Sequence, residues 1–401
     1  MTLRRVATPS SVLVVAGNNC FAERRPADGS VISAFDRGML LPFVLAWNGG
    51  SCRVLTTDTS SPRPRTSKLP ASETRQVLSR PFASGMLRFV AMPLALARIL
   101  RALDRSTTAY ARLPSPMGAC LTFAAMLMRR PLMCSLHGSP KWSRNERSWQ
   151  SMLGLRWLYR MAARKAIRSA HLIFATDVGL ADVYGLRADE IVEFSNTLLE
   201  EIPPLIEEFP TVGGGDLSLG FIGRLSPEKN PTFALDVVES LAQQGVSSHL
   251  AILGDGPMRP EILRRISGSN LTADCVGWVD DRGEVISRLR KLDFLLLPSL
   301  AEGSPKVMAE AMAMGTAVVT WKINSAVSAL ADEGRAAILR DSLDPDDWAD
   351  AIVRSSNPLS YGDIIRNAHE RVSGRTVRAL VEMIRMRMKR QLPVEMVGDV
   401  Q

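Results

Sequence analysis

FLLLPSLAEGSPKVMAEAMAMGTAVVTW, Phe294 to Trp321, holds a complete strand, helix and second strand. FLLLPS is an apolar run that stops at a proline. PKVMAEAMAMG opens with Pro305 and ends on Gly315, and AVVTW is apolar and β-branched again. Proline at a first helical position and glycine just past the last one are helix boundary signals. Unbroken apolar strands suit a parallel sheet buried on both faces. Two residues do not belong to that pattern: Glu302 at the mouth of the helix and Glu310 a little over two turns later. Burial alone gives no reason for both.

Working outward, the same alternation runs through the second half of the chain. LSLGFIG, HLAILGDG, DCVGWV, FLLLPS and AVVTW read as strands; NPTFALDVVESLAQQG, MRPEILRRI, EVISRLRKL and PKVMAEAMAMG read as the helices between them. In the first half, SVLVVAG (Ser11 to Gly17) reads as a strand and Ala34 to Trp47 as a helix. After the Gly49-Gly50 break, CRVLTT, PLMCSLHG, AHLIFATD and EIVEFSNT read as further strands. EEIPPLIEEFPTVGGGD, with three prolines and three successive glycines, interrupts the rhythm as a linker does. The expected organisation is α/β, with two doubly wound Rossmann-like domains at 1–199 and 217–375. A linker at 200–216 joins them, and a basic helix and tail at 376–401 cross back to the first domain. Ligands are expected in a central cleft between the domains, at the carboxyl ends of the strands.

At 401 residues the chain exceeds one ordinary core, and 46% hydrophobic with 22% charged residues is a globular composition. Its five cysteines are scattered without CxxC or metal spacing, so they read as small core residues of a reducing compartment, with no metal site. No run approaches the roughly 18 apolar residues of a membrane span, and MTLRR-SVLVVAG ends in GNN without a cleavage site. A cytoplasmic protein is expected. Charge is divided: residues 1–200 hold 27 Lys and Arg against 13 Asp and Glu, the remainder 22 against 28. A basic half implies an anionic neighbour. Aromatics at 6% and the absence of zinc-finger or RNP motifs argue against nucleic acid. Arg156, Arg160, Arg164 and Arg168 recur every four residues beside Trp157, Leu158 and Met161. They fit either an anionic membrane surface or a solvated helix face.

GFIGRLSPEKN (Gly220 to Asn230), LGDGP (Leu253 to Pro257), VGW (Val276 to Trp278) and PSLAEGSPKVMAEAMAMGTAVV (Pro298 to Val319) resemble, in order and spacing, the GT-B glycosyltransferases of family 4, a retaining group using nucleotide-sugar donors. The resemblance implies that Arg224 and Lys229, in the loop opening at Gly223, stabilise a diphosphate. It implies that Glu302 accepts from donor-sugar hydroxyls, and that backbone around Gly303, Ser304, Pro305, Lys306 and Val307 meets sugar and phosphate. Glu310 would accept from ribose hydroxyls, and Gly277 and Trp278 would lie near the nucleobase. In the first domain, it places His137 facing the reacting sugar and Gly29 in a loop near the donor phosphate. Ser304 departs from the bulkier residue of many relatives, which bears on the sugar. Ser30 stands where paired glycines are usual, which bears on competence. The implied reaction moves a sugar from an NDP-sugar, UDP-sugar for preference, to a hydroxyl of a saccharide or lipid-linked saccharide. It needs no cofactor or metal, and the basic domain would sit at the inner face of a membrane during surface polysaccharide or glycolipid synthesis. A sugar-nucleotide epimerase or a silent sugar-nucleotide-binding protein are the alternatives.

Overall fold

The structure, a computed structural model, describes the backbone of six strands between residues 12 and 79, residues 96–137 and 164–206 with gaps, and residues 216–392 throughout. Gly29 and Ser30, Arg156 and Arg160, residues 207–215 and the tail after 392 lie outside the described residues. The chain divides into two units: Met1–Ser195 with Arg378–Gln401, and Asn196–Val377.

The first unit contains β1 (Val12–Ala16), β2 (Phe21–Arg24), β3 (Val31–Phe35), β4 (Ser51–Thr57), β5 (Ser67–Lys68), β6 (Val77–Ser79), β7 (Thr107–Leu113), β8 (Leu132–Leu136), β9 (Leu172–Ala175) and β10 (Val192–Glu193). Seven of them form a parallel sheet in the order β10-β9-β8-β7-β1-β4-β6. Winding starts at β1, runs one way through β4 and β6, then returns past β1 to β7 and beyond. The helix Pro116–Leu127 is apolar but short, and buries Cys120, Leu121, Ala124 and Ala125 against the core that β7 and β8 also line. Cys134 lies inside that core, where burial pushes its thiol up to about 12. The expected helix Ala34 to Trp47 is corrected at its start, and its remainder, residues 36–47, lies outside the described residues. Ala34 and Phe35 open no helix but end β3, which pairs antiparallel with β2 and β5 in a small separate sheet. The β-branched Val31 and Ile32 just before them favour an extended chain.

The second unit contains β11 (Leu217–Ile222), β12 (Ser248–Leu253), β13 (Ala273–Gly277), β14 (Phe294–Leu297), β15 (Ala317–Trp321) and β16 (Ile338–Arg340). All pairs are parallel, in the order β13-β12-β11-β14-β15-β16. Both faces are buried, which is why β14 reads as an unbroken apolar run. Phe294 and Leu296 point into the core shared with the helices Pro231–Gln243 and Pro345–Ser355; Leu295 and Leu297 point into the one shared with Lys306–Ala313. Trp348, fully buried, meets Phe233 edge to face at 5.0 Å between ring centroids. The first residues of the segment read as a linker are packed chain: Ile202 and Leu205 lean on the two cores, and His369 Nε2 lies 2.8 Å from the Pro203 carbonyl oxygen.

At the amino edge of this sheet, Asp293 precedes β14. Ser218 N–H donates to its carboxylate at 2.8 Å, and the Tyr361 hydroxyl donates to its backbone oxygen at 2.7 Å. Burial raises the Asp293 pKa, partly offset by the Ser218 bond, and burial beside Asp293 raises that of Tyr361. A carboxyl whose folded pKa lies above the unfolded value gives its full stability below the unfolded value and loses it as pH rises through the folded one. Asp293→Asn keeps an acceptor for Ser218 and removes the charge. It is expected to be more stable than the parent at pH 7, with the difference shrinking below about pH 4; urea midpoints at pH 7 and pH 3.5 check the sign.

Candidate functional site

In a sheet of this order ligands bind beyond the carboxyl ends of the strands, where the winding reverses. Here that point lies between β11 and β14, and the loops that follow them carry GRLSPEKN and AEGSP.

The loop after β11 lies backbone to backbone on the loop after β12. Gly223 N–H donates to the Leu253 carbonyl, Leu225 N–H to that of Asp255, and Met258 N–H to that of Leu225, each at 3.0 Å. This contact explains the glycines of LGDGP. A Cβ at Gly254 would lie 1.8 Å from the Gly223 oxygen, and one at Gly256 2.3 Å from the Leu225 oxygen. Gly254 N–H in turn donates to the Gly277 carbonyl at 2.8 Å, which ties in the end of β13.

On this platform Arg224 is exposed, and its guanidinium has no partner among the described residues. Lys229, in the 3-10 turn Pro227–Lys229, places Nζ 2.6 Å from Glu302 Oε1. Glu302 is only 9% exposed at its side chain and accepts a second bond from Ser299 Oγ at 2.7 Å. Leu300 N–H donates to the Glu228 carbonyl at 2.8 Å, so the loops after β11 and β14 are joined through main chain as well as through the ion pair.

The Glu302 loop is held from behind. Trp321 Nε1 donates to the Ser299 carbonyl at 2.8 Å. Asn324 caps the helix Ser325–Leu330 by accepting from Val327 N–H at 2.9 Å, while its amide nitrogen donates to the carbonyls of Glu302 at 2.6 Å and Gly303 at 3.4 Å. Pro305 is the cap of the helix Lys306–Ala313 and not its first residue, with ψ of 103° holding it extended before the turn begins. The half-buried Gly303 and Ser304 lead into that helix start, whose first-turn N–H groups form an anion-attracting end. Gly315 takes up a positive φ of 79° just beyond the helix.

Glu310 is buried on this helix and pairs with Arg282, the first residue of the helix Arg282–Leu289 after β13. Trp278, at the end of β13, is 39% exposed and directs Nε1 toward Asp280 Oδ1 at 3.4 Å. His137 belongs to the first unit, at the end of β8. Its Nε2 is 3.0 Å from Ser135 Oγ, which also accepts from the Tyr110 hydroxyl at 2.6 Å, and its ring meets Phe194 edge to face. Of the residues singled out in the sequence, Lys229 and Glu302 are brought into direct contact, with Gly303, Ser304 and Pro305 beside them. Gly29 lies outside the described residues.

Three residues of the site escape a sequence reading: Ser299, Arg282 and Asn324. Only Asn324 carries a local signal, as a capping residue before an apolar helix, and that signal says nothing of its amide reaching Glu302. Asn324→Ala is expected to destabilise the second unit by about 1–2 kcal/mol through loss of the cap and the loop bonds. Asn324→Asp restores an equally good cap but sets a carboxylate against two carbonyl oxygens. Any activity that depends on the Glu302 loop should therefore be lower in Asn324→Asp than its stability, read from urea midpoints, would suggest.

Residues 216–357 match the family model for glycosyl transferases group 1. The D-inositol 3-phosphate glycosyltransferase of Corynebacterium urealyticum is 31% identical over 142 residues, 33% of this chain and 33% of that protein. The GDP-mannose-dependent alpha-(1-6)-phosphatidylinositol dimannoside mannosyltransferase of Mycobacterium tuberculosis is 33% identical over 116 residues, 29% of this chain and 30% of that protein. The chain thus spans about a third of the length of these relatives. Over nearly its whole length its fold is shared with Anabaena HepE crystallised with UDP (TM-score 0.67, 17% identity, 95% of this chain and 100% of that one). It is shared as well with the lipopolysaccharide outer core galactosyltransferase WaaB (TM-score 0.65, 16% identity, 95% of this chain and 100% of that one). The fold is GT-B, and within the second unit residues 216–357 are similar to the group 1 glycosyltransferases.

Proposed function

We propose that the protein is a retaining glycosyltransferase that moves a sugar from an NDP-sugar, with UDP-sugar preferred, to a hydroxyl of a saccharide or lipid-linked saccharide. The observation that carries this reading is the 2.6 Å contact of Lys229 with Glu302 at the reversal point of the sheet, beside the exposed Arg224. In a nucleotide sugar the glycosyl group and the diphosphate share one oxygen. A residue reading sugar hydroxyls and a residue reading phosphate must therefore be neighbours, and Glu302 and Lys229 are.

In this reading Arg224 and Lys229 take the charge that develops on the departing diphosphate, helped by the start of the helix Lys306–Ala313. Glu302 accepts from sugar hydroxyls and fixes the ring, and Glu310 accepts from the ribose. Main chain at Gly223 and from Gly303 to Val307 lies along the phosphates and sugar, and Gly277 and Trp278 lie along the base. Departure and attack on one face retain the anomeric configuration, with the diphosphate helping to deprotonate the acceptor. His137 contributes a hydrogen bond to the sugar. Support for UDP is the fold shared with a UDP-bound protein. Support for an acceptor at an anionic membrane surface is the basic charge of the first half; among the described residues no helix is long and apolar enough to cross a membrane.

The test offers UDP-, GDP- and ADP-sugars and records thermal stabilisation, which a ligand at 100 times its Kd raises by about 2.7 kcal/mol. One donor is expected to stabilise the parent and to fail with Arg224→Ala and Glu302→Ala. Lys229→Ala is expected to lower turnover about 10²-fold or more, and the product's anomeric configuration, read by NMR, should match the donor's. Release of an isomerised sugar nucleotide or free sugar without acceptor would instead mark an epimerase; donor binding without any turnover would mark a silent binding protein.

A further inference from the structure

Glu310 sits where a carboxylate is hardest to place. Its side chain is 3% exposed, and its helix neighbours Met308, Ala309, Ala311 and Met312 are all core residues. An unneutralised charge in such a position is strongly unfavourable. The neutralising group comes from a different βα loop: the Arg282 guanidinium closes on Glu310 Oε1. No described residue donates to the other carboxylate oxygen. That oxygen is not among the buried side-chain atoms left without a partner, so it reaches the surface of the fold, where a donor that the chain itself does not supply can meet it.

Arg282 also sits against its own helix. It is the first helical residue, after the cap Asp281 whose side chain accepts from Gly283 N–H at 2.9 Å. A cation there opposes the helix dipole, which favours acids at that end. A local reason for Arg282 is therefore missing, and its pairing with Glu310 supplies one. Arginine suits the task because its planar fork holds the plane of a carboxylate, whereas an ammonium neutralises it without fixing its orientation.

We infer that Arg282 is a positioning residue that holds Glu310 by one oxygen so that the other accepts from the vicinal diol of the donor's ribose, and that it thereby sets a preference for ribonucleotides. This rests on the reading of Glu310 as the ribose acceptor. Arg282 touches no substrate; it acts by keeping the acceptor charged and aimed. A residue that merely filled space or stabilised the fold would change the binding of every nucleotide alike, whereas this one changes only the contribution of the diol.

The experiment measures calorimetric affinities for UDP against 2′,3′-dideoxy-UDP, and for GDP against 2′,3′-dideoxy-GDP, on the full chain. The parent is expected to prefer the ribonucleotide by about tenfold or more, as a hydrogen bond to a charged group implies. Arg282→Ala is expected to lose most of that preference while its affinity for the dideoxy nucleotide stays within about twofold. Arg282→Lys keeps the charge in the same place, so it folds even if Arg282→Ala does not, and it is expected to retain only part of the preference. Equal weakening of both nucleotides in the Arg282 variants, or an unchanged preference, would overturn the inference. Glu310→Ala separates the two levels. If it leaves the ribose preference intact, the reading of Glu310 fails and takes this inference with it; if it abolishes the preference while the Arg282 variants keep it, only the role of Arg282 is lost.

Discussion

The parallel pairing of β11 with β14 is the constraint on which the second unit depends. These strands are far apart in sequence and adjacent in space, with Leu219 beside Phe294 and Gly220 beside Leu295. The approach is close: a Cβ on Gly220 would lie 2.2 Å from Leu292 Cδ1, so a side chain there would require Leu292 to move where the chain enters β14. Once the two strands are paired in parallel, the loops that follow them leave the same edge. The helices on either face prevent those loops from folding back over the sheet. Lys229 and Glu302 meet because of this topology, and no shorter path through the chain would bring them together.

Charge at that edge is arranged in pairs that bridge loops. Lys229 and Glu302 join the loops after β11 and β14; Arg282 and Glu310 join the loop after β13 to the helix after β14. Each acid is nearly buried and each cation is the more exposed partner. An acid held against a cation from another loop has its orientation fixed by the fold itself. Preorganisation of this kind matters because charge stabilisation that requires no rearrangement during reaction is the effective kind. Ser299, Trp321 and Asn324 serve the same end: the Ser299 hydroxyl donates to the Glu302 carboxylate, and Trp321 and Asn324 hold the main chain of its loop.

Much of this was legible from residue order. The alternation of β-branched runs with helical segments identified five of the six strands of the second sheet, because strands buried on both faces cannot hide among polar residues; the three-residue edge strand β16 was not read from the sequence. LGDGP and the paired acids around AEGSP drew attention to the loops after β12 and β14, and the structure gives the glycines of LGDGP a packing role, close contact with the loop after β11. The reading failed where local signals compete. Ala34 and Phe35 were absorbed into the start of a helix although pairing with β2 and β5 holds them extended. Pro305 looked like a first helical residue and proved to be a cap, a distinction of one residue that sequence signals do not resolve. The segment from Glu200 looked like a free linker because of its prolines, yet Ile202 and Leu205 pack on the second unit, where apolar surface was available to cover.

By itself the sequence determined the elements, their order and the types of side chain at the site, because hydrophobic period, glycine and proline act over a few residues. Only the tertiary structure decided which of those side chains share a partner. Asn324 as a clamp on Glu302, and Arg282 as the counter-charge of Glu310, depend on loops from different strands arriving at one edge of the sheet. That is a property of strand order, set by the burial of two sheet faces at once, and no local run of residues encodes it.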